Sequence, residues 1–362
     1  MFDDQRFMAR AIRLAEGGRY STHPNPCVGC VLVRQDKIVG EGFHLVAGQG
    51  HAEANALQVA QDAARGSTAY ITLEPCSFHG RTPSCAEALV KAGVARVVVA
   101  QLDPDSRNAG KGIGVLEKAG IEVVMSVLAE SAADLVMGHI KRHTQQQPYV
   151  RLKLAMSLDG KTALANGESK WITSPESRGD VQRLRAMSAA IVTGVQTVID
   201  DDPLLTVRPN ELKVAGADVA AQVVRPVYVL DSNLRIPRAA QLLDRDSTVV
   251  VSVQEPADKF PVEVLTLPAD DGRIDLRALL KALAAREHSE VLFECGGTLA
   301  GSLINEGLVD EMIIYVAPAF MGASAKSLLN LPEVDRMTDL TRLKIRDIRK
   351  VGEDYRITAG PA

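Results

Sequence analysis

Three residue types in one order could do chemistry here. His51-Ala52-Glu53 is followed by Pro75-Cys76 and, after a gap of eight residues, by Cys85. One imidazole and two thiols are donors that Zn²⁺ prefers, and three protein ligands leave one tetrahedral position for water, the mark of a catalytic site. Zinc lowers the pKa of water by roughly nine units, which at about 1.36 kcal/mol per unit is on the order of 12 kcal/mol. What remains is proton traffic, from the water to a ring nitrogen and a leaving amine. A carboxylate with a raised pKa suits both directions. Glu53, two residues after the histidine, can reach the open position without ligating.

These residues must be held by helix starts. A helix is expected over 51–64, preceded by two strands, VGCVLVR and KIVGEGFH, with a turn at Gln35-Asp36. A strand (TAYITLE), an irregular loop (PCSFHGRTPSC) and a second helix (AEALVKAG) follow. The histidine and Cys85 then sit at helix N-termini, whose positive ends favour thiolate. The order H-x-E, P-C and a second cysteine is similar to the signature of zinc deaminases. HAE or Pro-Cys alone is weak; the combination with a strand between and a helix after is specific. The plain alternative is a capping histidine and a buried cysteine pair.

Cys27 and Cys30 (CVGC) could join a four-cysteine structural site or act as a redox pair. Their apolar strand context favours small buried hydrophobes. His44 ends a strand before the metal loop and could touch substrate or cap the loop. His79 is a weaker candidate, and His23, His139, His143 and His288 read as surface or packing residues.

The rest of the first half alternates helix and strand. An amphipathic helix opens it (MFDDQRFMARAIRLAEGG), and ARVVVAQLD, a helix to Gly120, IEVVMSVL and a closing helix over 131–143 complete it. This is an α/β layered sandwich. A linker is expected at 144–149, dividing a domain at 1–146 from one at 147–362. Strands in the second half fit VRLKLAMS, AAIVTGV, RPVYVLD, STVVVSV, VEVLTLP, EVLFEC and EMIIYVAP. Helices fit SPESRGDVQRLRAM, LRALLKALAAREH and TLAGSLINEGL; 214–224 reads as a loop, and the C-terminus as a hairpin turning at Gly352. EVLFECGGTLAG is a buried strand, a Gly-Gly turn and a helix start, able to cradle a phosphate through backbone N–H groups. It is not GxGxxG; a plain turn capping a helix is the alternative.

Composition narrows the partners. A hydrophobic content of 46% with 24% charged residues is that of a globular chain. The net charge of −4 and the absence of a basic run argue against a nucleic-acid partner. No stretch reaches the ~18 apolar residues of a membrane span, and the N-terminus lacks a signal-peptide pattern. Five cysteines not spread as a disulfide framework suggest a reducing, cytoplasmic setting.

The segments PNPCVGCVLV, GHAEANAL, LEPCSFHGRTPSC, AGKG, KLAMSLDGKTA, WITS, TVIDDDPLLTVR and FECGGTLAGSLINEGLVDE, in this order through nearly the whole chain, resemble the RibD family of bifunctional riboflavin-biosynthesis enzymes. The resemblance implies a cytidine-deaminase-like α/β/α domain and a dihydrofolate-reductase-like α/β domain. It implies Zn²⁺ on His51, Cys76 and Cys85, and deamination of 2,5-diamino-6-ribosylamino-4(3H)-pyrimidinone 5′-phosphate. NADPH would then reduce the ribosyl group to ribityl, giving 5-amino-6-(5-phospho-D-ribitylamino)uracil. The same carry-over puts Ala155, Trp171, Thr197, Asp201, Ser232 and Gly296, Gly297, Thr298, Leu299, Ala300, Gly301 and Ser302 at NADPH. It puts Ser169, Arg185, Leu205, Arg208 and Glu294 at the substrate, the arginines on its phosphate. Without it, Arg185 and Arg208 would be solvated surface residues and Trp171 core packing. Domains of this kind self-associate, so a dimer or tetramer is expected.

Two positions depart from the family pattern. Asp105 stands where an asparagine is usual, a carboxylate to be offset by Arg107 or Lys111. Phe78 stands where a histidine is common, so that position is not expected to be catalytic.

Overall fold

A computed structural model describes residues 2–78 and 84–362. The chain divides into two compact units, Met1–Gln147 and Pro148–Ala362. No helix among the described residues is long and apolar enough to cross a membrane.

The first unit runs α1 (Phe2–Ala15), β1 (Gly29–Arg34), β2 (Lys37–Phe43), α2 (Ala52–Ala60), β3 (Thr68–Ile71), α3 (Cys85–Ala92), β4 (Arg96–Val99), α4 (Lys111–Lys118), β5 (Glu122–Met125), α5 (Ala129–Ala133) and α6 (Met137–Gln145). Its sheet has the order β2-β1-β3-β4-β5. β1 is antiparallel to β2 and β3, whereas β3, β4 and β5 are parallel. Gln35 and Asp36 take φ of 50° and 59°, as a two-residue type I′ hairpin requires. Side chains alternate across the sheet. Cys30 and Leu32 face a core with Ala52, Ala56, Leu89 and Leu116 from α2, α3 and α4. Val31 and Val33 face Phe7, Met8 and Ala11 of α1. The result is an α/β/α layered unit.

The closing helix expected over 131–143 is two helices, α5 and α6. The chain breaks at Val136, whose φ of −128° and ψ of 22° leave the helical region, with Leu135 and Val136 both buried beside Ala15. The expected linker shrinks as well. α6 runs on to Gln145 and the next strand begins at Tyr149, glutamine being a good helix former.

The second unit runs β6 (Tyr149–Ser157), β7 (Lys161–Ala163), α7 (Pro175–Met187), β8 (Ala190–Gly194), α8 (Val195–Asp201), α9 (Ala217–Gln222), β9 (Val227–Leu230), β10 (Thr248–Ser252), β11 (Glu263–Thr266), β12 (Ala269–Asp270) and β13 (Arg273–Ile274). It continues with α10 (Leu276–Ala285), β14 (Glu290–Glu294), α11 (Gly297–Asn305), β15 (Glu311–Ala317), β16 (Lys326–Ser327), β17 (Leu343–Val351) and β18 (Asp354–Pro361). The main sheet has the order β11-β10-β9-β8-β14-β6-β15-β18-β17. Strands β11 through β15 in that order are parallel, and β18 and β17 close it antiparallel. One core sets Tyr228, Phe293 and Leu152 against α10 and α11; the opposite face sets Val227 and Val229 against Val195 and Leu242. The stretch 214–224, expected as a loop, contains α9, pinned by buried Ala220.

Candidate metal centre and reductase site

Helix α2 is pressed onto β2 at a glycine: a Cβ on Gly42 would lie 2.4 Å from the Ala52 carbonyl oxygen. That contact sets where the helix begins, with His51 at its N-cap. The carbonyl of Gly50, just before His51, accepts from Asn55 Nδ2 (3.2 Å) and His44 Nδ1 (3.1 Å). Cys85 opens α3, capped by Ser84. Ser84 Oγ (3.0 Å) and the Ala86 N–H (3.1 Å) both donate to the Cys76 carbonyl, so the two cysteine segments are tied together.

His51 Nδ1 lies 3.8 Å from Cys76 Sγ and 3.4 Å from Cys85 Sγ, and the three donor atoms all fall within 4.8 Å of one another. Among the described residues this is the one such group of three or more metal-capable side chains. The Cys85 N–H also points at Cys76 Sγ (3.3 Å). The neighbouring Cys85 thiol and the His51 ring hold the Cys76 thiol far down, to about 4, so Cys76 is the first thiolate. Cys85 is pushed up by that thiolate and by burial. One nitrogen and two sulfurs, one of them readily ionised, are a donor set that fits zinc.

Glu53, in the first turn of α2, is 3% exposed. Burial raises its carboxyl above the usual range, and the Cys76 charge adds to this. It is therefore better suited than an ordinary carboxylate to take up a proton and release it.

His44 follows directly on β2. It is 2% exposed; Nδ1 is committed to Gly50, Nε2 accepts from Asn25 Nδ2 (3.0 Å), and its ring packs edge-on against His51 at 5.2 Å. It supports the metal loop. Cys30 is fully buried in the core and Cys27 sits by Thr22 Oγ1; neither joins the donor cluster. His79 lies outside the described residues. His139 is buried and bonded to Asp103 (2.9 Å). Asp105 is 4% exposed and gripped by Arg107 Nη2 at 2.5 Å. Lys111 is not its partner; it donates to the Ser106 and Arg107 carbonyls.

In the second unit, the carboxyl ends of adjacent parallel strands β9, β8, β14 and β6 gather most of the expected cofactor residues. Ser232 follows β9, Thr197 lies on α8 just after β8, Gly296 follows β14 and Ala155 lies late in β6. Ligands of open α/β sheets bind at such an edge. Leu299 Cδ2 is 3.7 Å from where a Gly194 Cβ would be, so the starts of α8 and α11 adjoin. Gly296 caps α11, and a Cβ there would meet nothing within 4 Å. That leaves the backbone N–H groups open to an anion. Two members of the expected stretch face inward. Ala300 is fully buried in the core, and a Gly301 Cβ would lie 2.1 Å from the Asn330 carbonyl oxygen. These two serve helix packing, as does Leu299, which packs on the same core; Gly296 and Thr298 are the exposed positions of the stretch.

Trp171 is not core packing: it is 70% exposed, with the Arg178 guanidinium 4.4 Å over its ring. Arg185 is not a solvated arginine. It is buried and donates to both Glu294 oxygens, at 2.6 and 3.1 Å, and to the Thr206 carbonyl. Arg208 is exposed and paired with Glu211. Leu205 puts its side chain into the core beside Val195 and Ile236, so any substrate contact there is through its backbone. Asp201 pairs with Lys170, the neighbour of Ser169, at 3.3 Å. Lys153 was not singled out from sequence. It sits in register with Glu294 across β6–β14, and burial lowers its ammonium pKa against the pull of Glu294. Its signal was a charged side chain inside a parallel strand, a signal shared with Arg151 two residues earlier.

Comparison with known proteins places these sites in context. Residues 1–101 match the family model of the cytidine and deoxycytidylate deaminase zinc-binding region, and residues 148–357 that of the RibD C-terminal domain. The chain is 45% identical over 357 residues to riboflavin biosynthesis protein RibD of Escherichia coli K12, covering 97% of each, and 40% identical to that of Aquifex aeolicus over 362 residues, covering 97% of this chain and 96% of the other. The solved structure of Acinetobacter baumannii RibD superposes with a TM-score of 0.92 at 44% identity over 99% of both chains. The Thermotoga maritima diaminohydroxyphosphoribosylaminopyrimidine deaminase/5-amino-6-(5-phosphoribosylamino)uracil reductase superposes with a TM-score of 0.87 at 29% identity, over 100% of this chain and 99% of that one.

Proposed function

The chain belongs to the RibD family, bifunctional deaminase–reductases of riboflavin biosynthesis, and on that footing we propose which of its residues carry each step. The deaminase replaces the 2-amino group of 2,5-diamino-6-ribosylamino-4(3H)-pyrimidinone 5′-phosphate by oxygen from water and releases ammonia. The reductase then reduces the ribosyl group to ribityl at the expense of NADPH.

His51, Cys76 and Cys85 hold the zinc. When bound, it supplies a Lewis acid that makes water acidic enough to attack at neutral pH. Glu53 takes one proton from the attacking water and passes it to the ring nitrogen, then takes the second from the hydroxyl so added to carbon and delivers it to the departing amine, which leaves as ammonia. The observation that carries this reading is the convergence of three donor atoms within 4.8 Å beside a buried carboxyl whose pKa is raised.

In the second unit, Gly296, Gly297, Thr298, Leu299 and Ser302 lie along the cofactor phosphates, with Ala155, Trp171, Thr197, Asp201 and Ser232 around the rest. NADPH supplies the reducing equivalents. Glu294, Ser169 and Arg208 bind substrate, and Arg185 holds the Glu294 carboxylate in place. The placement of Ala155, Thr197, Ser232, Glu294 and Gly296 at the carboxyl ends of four neighbouring strands supports this assignment.

Self-association as a dimer or tetramer also fits, since β17 is an open sheet edge that exposes Ile345 and Ile348. Five free cysteines suit a reducing, cytoplasmic setting. A coupled assay on the pyrimidine phosphate, with and without NADPH, tests the proposal. About one zinc per chain, ammonia without NADPH, and NADPH oxidation only after deamination are expected. A chain that purifies without zinc, or oxidises NADPH without prior deamination, would refute it. Light scattering tests the oligomer; a monomer at micromolar concentration rejects it.

A further inference from the structure

We propose that the side-chain amide of Asn108 is a positioning group for Cys76, an inference that rests on the zinc-ligand reading above. Its Oδ1 accepts the Ser77 N–H at 2.9 Å and its Nδ2 donates to the Pro75 carbonyl at 3.2 Å. One planar amide thus grips the backbone on both sides of the thiol. Asn108 is fully buried, so losing it would strand two polar backbone groups away from water.

The amide is itself held in one orientation. Nδ2 also donates to Asp103 Oδ2 at 3.3 Å, and a flipped amide would set an N–H against the Ser77 N–H and an oxygen against Asp103. Asp103 is fixed in turn: its Oδ1 takes the Asp105 N–H at 3.0 Å and His139 Nε2 at 2.9 Å. On the near side, the Glu74 carboxylate, two residues before Cys76, accepts the N–H groups of Asp103, Gly110, Gly112 and Ile113 at 2.9 to 3.3 Å. Strand end and α4 start are therefore locked together. A Cβ on Gly112 would lie 2.0 Å from the Pro75 carbonyl oxygen, so the packing there admits only glycine. Glu74 ties the segment after β3 to the start of α4, and Asn108 fixes how the next two peptides turn, which aims the Cys76 side chain at His51 and Cys85.

Groups that orient metal ligands change affinity by about 10–100-fold when removed. The test uses the full zinc-loaded chain, Asn108→Ala and Asn108→Asp. The readouts are the rate of zinc release to a chromogenic chelator and the thiolate-to-metal absorption of the cobalt(II)-substituted protein. Asn108→Ala is expected to release zinc on the order of 10–100-fold faster, with a shifted or weakened cobalt band. Asn108→Asp keeps the acceptor for Ser77 but sets a carboxylate oxygen against the Pro75 carbonyl and Asp103, and should release zinc at least as fast as Asn108→Ala. If the alanine variant does not fold, the aspartate variant decides alone. Wild-type release rates or an unchanged cobalt band overturn the proposal, whatever happens to thermal stability, because a merely structural residue leaves that band alone. A wild-type chain that binds no zinc instead defeats the ligand assignment on which the inference rests.

Discussion

At the scale of single residues, the deaminase centre depends on keeping metal-binding and proton-carrying groups distinct. Glu53 is not among the clustered donors, so Glu53→Gln should retain zinc by metal analysis while ammonia release falls at least ~10²-fold. Loss of zinc would make Glu53 a ligand. Asp105 illustrates a charge neutralised locally. Burial would push its carboxyl up, but the Arg107 hydrogen bonds and charge outweigh this and leave it at about 2, against an ordinary value of 3.8. A depressed folded-state pKa contributes stability above the unfolded value that is lost as pH falls through the folded one. With His143 4.0 Å away and Asp103 adjoining, the Asp105–Arg107 pair should contribute on the order of 2 kcal/mol, lost between about pH 4 and pH 2. Asp105→Asn should remove that part of the acid-unfolding curve; superimposable curves for the two proteins would refute the assignment.

At the scale of elements, sites depend on how closely helices approach strands. Gly42→Ala would drive a methyl group into the Ala52 carbonyl and push α2 away from β2. A cost of about 1–3 kcal/mol is expected, together with weaker zinc retention because His51 caps that helix. Normal zinc affinity in a destabilised Gly42→Ala would separate helix packing from the site. In the second unit, Arg151 on β6 is 2% exposed and joins Glu290 on β14 to Glu311 on β15. Arg151→Ala leaves both carboxylates without their cation, and a loss of about 3–5 kcal/mol in denaturant unfolding is expected. A loss under ~1 kcal/mol would mean that water reaches the carboxylates.

At the scale of the molecule, each compact unit carries its own site. Zinc removal by a chelator should abolish ammonia release while leaving NADPH oxidation on the already deaminated substrate within about twofold, since hydride chemistry belongs to the cofactor. Parallel loss of both activities would show that the reductase needs the metal-loaded deaminase unit. The family assignment makes the pair of reactions consecutive, so the apo protein should still convert the product of the first step.

Much of this was open to reading in the chain. That His51, Cys76 and Cys85 converge was legible because metal chemistry constrains residue type and order more than fold does. The alternation of strand and helix was legible from periodicity, which reflects burial of one face at a time. Side-chain direction was not. Leu205 and Ala300 put their side chains into the core, Gly301 is packed against the Asn330 carbonyl, and Arg185 spends its charge on Glu294. The break between α5 and α6 escaped for a related reason, since it depends on what Leu135 and Val136 pack against. Nor could spacing reveal that Asn108 and Glu74, more than thirty residues apart, meet around one cysteine. Local chemistry is written in consecutive residues. Partners brought together by the crossing of strands and helices are set by the packing of the whole chain.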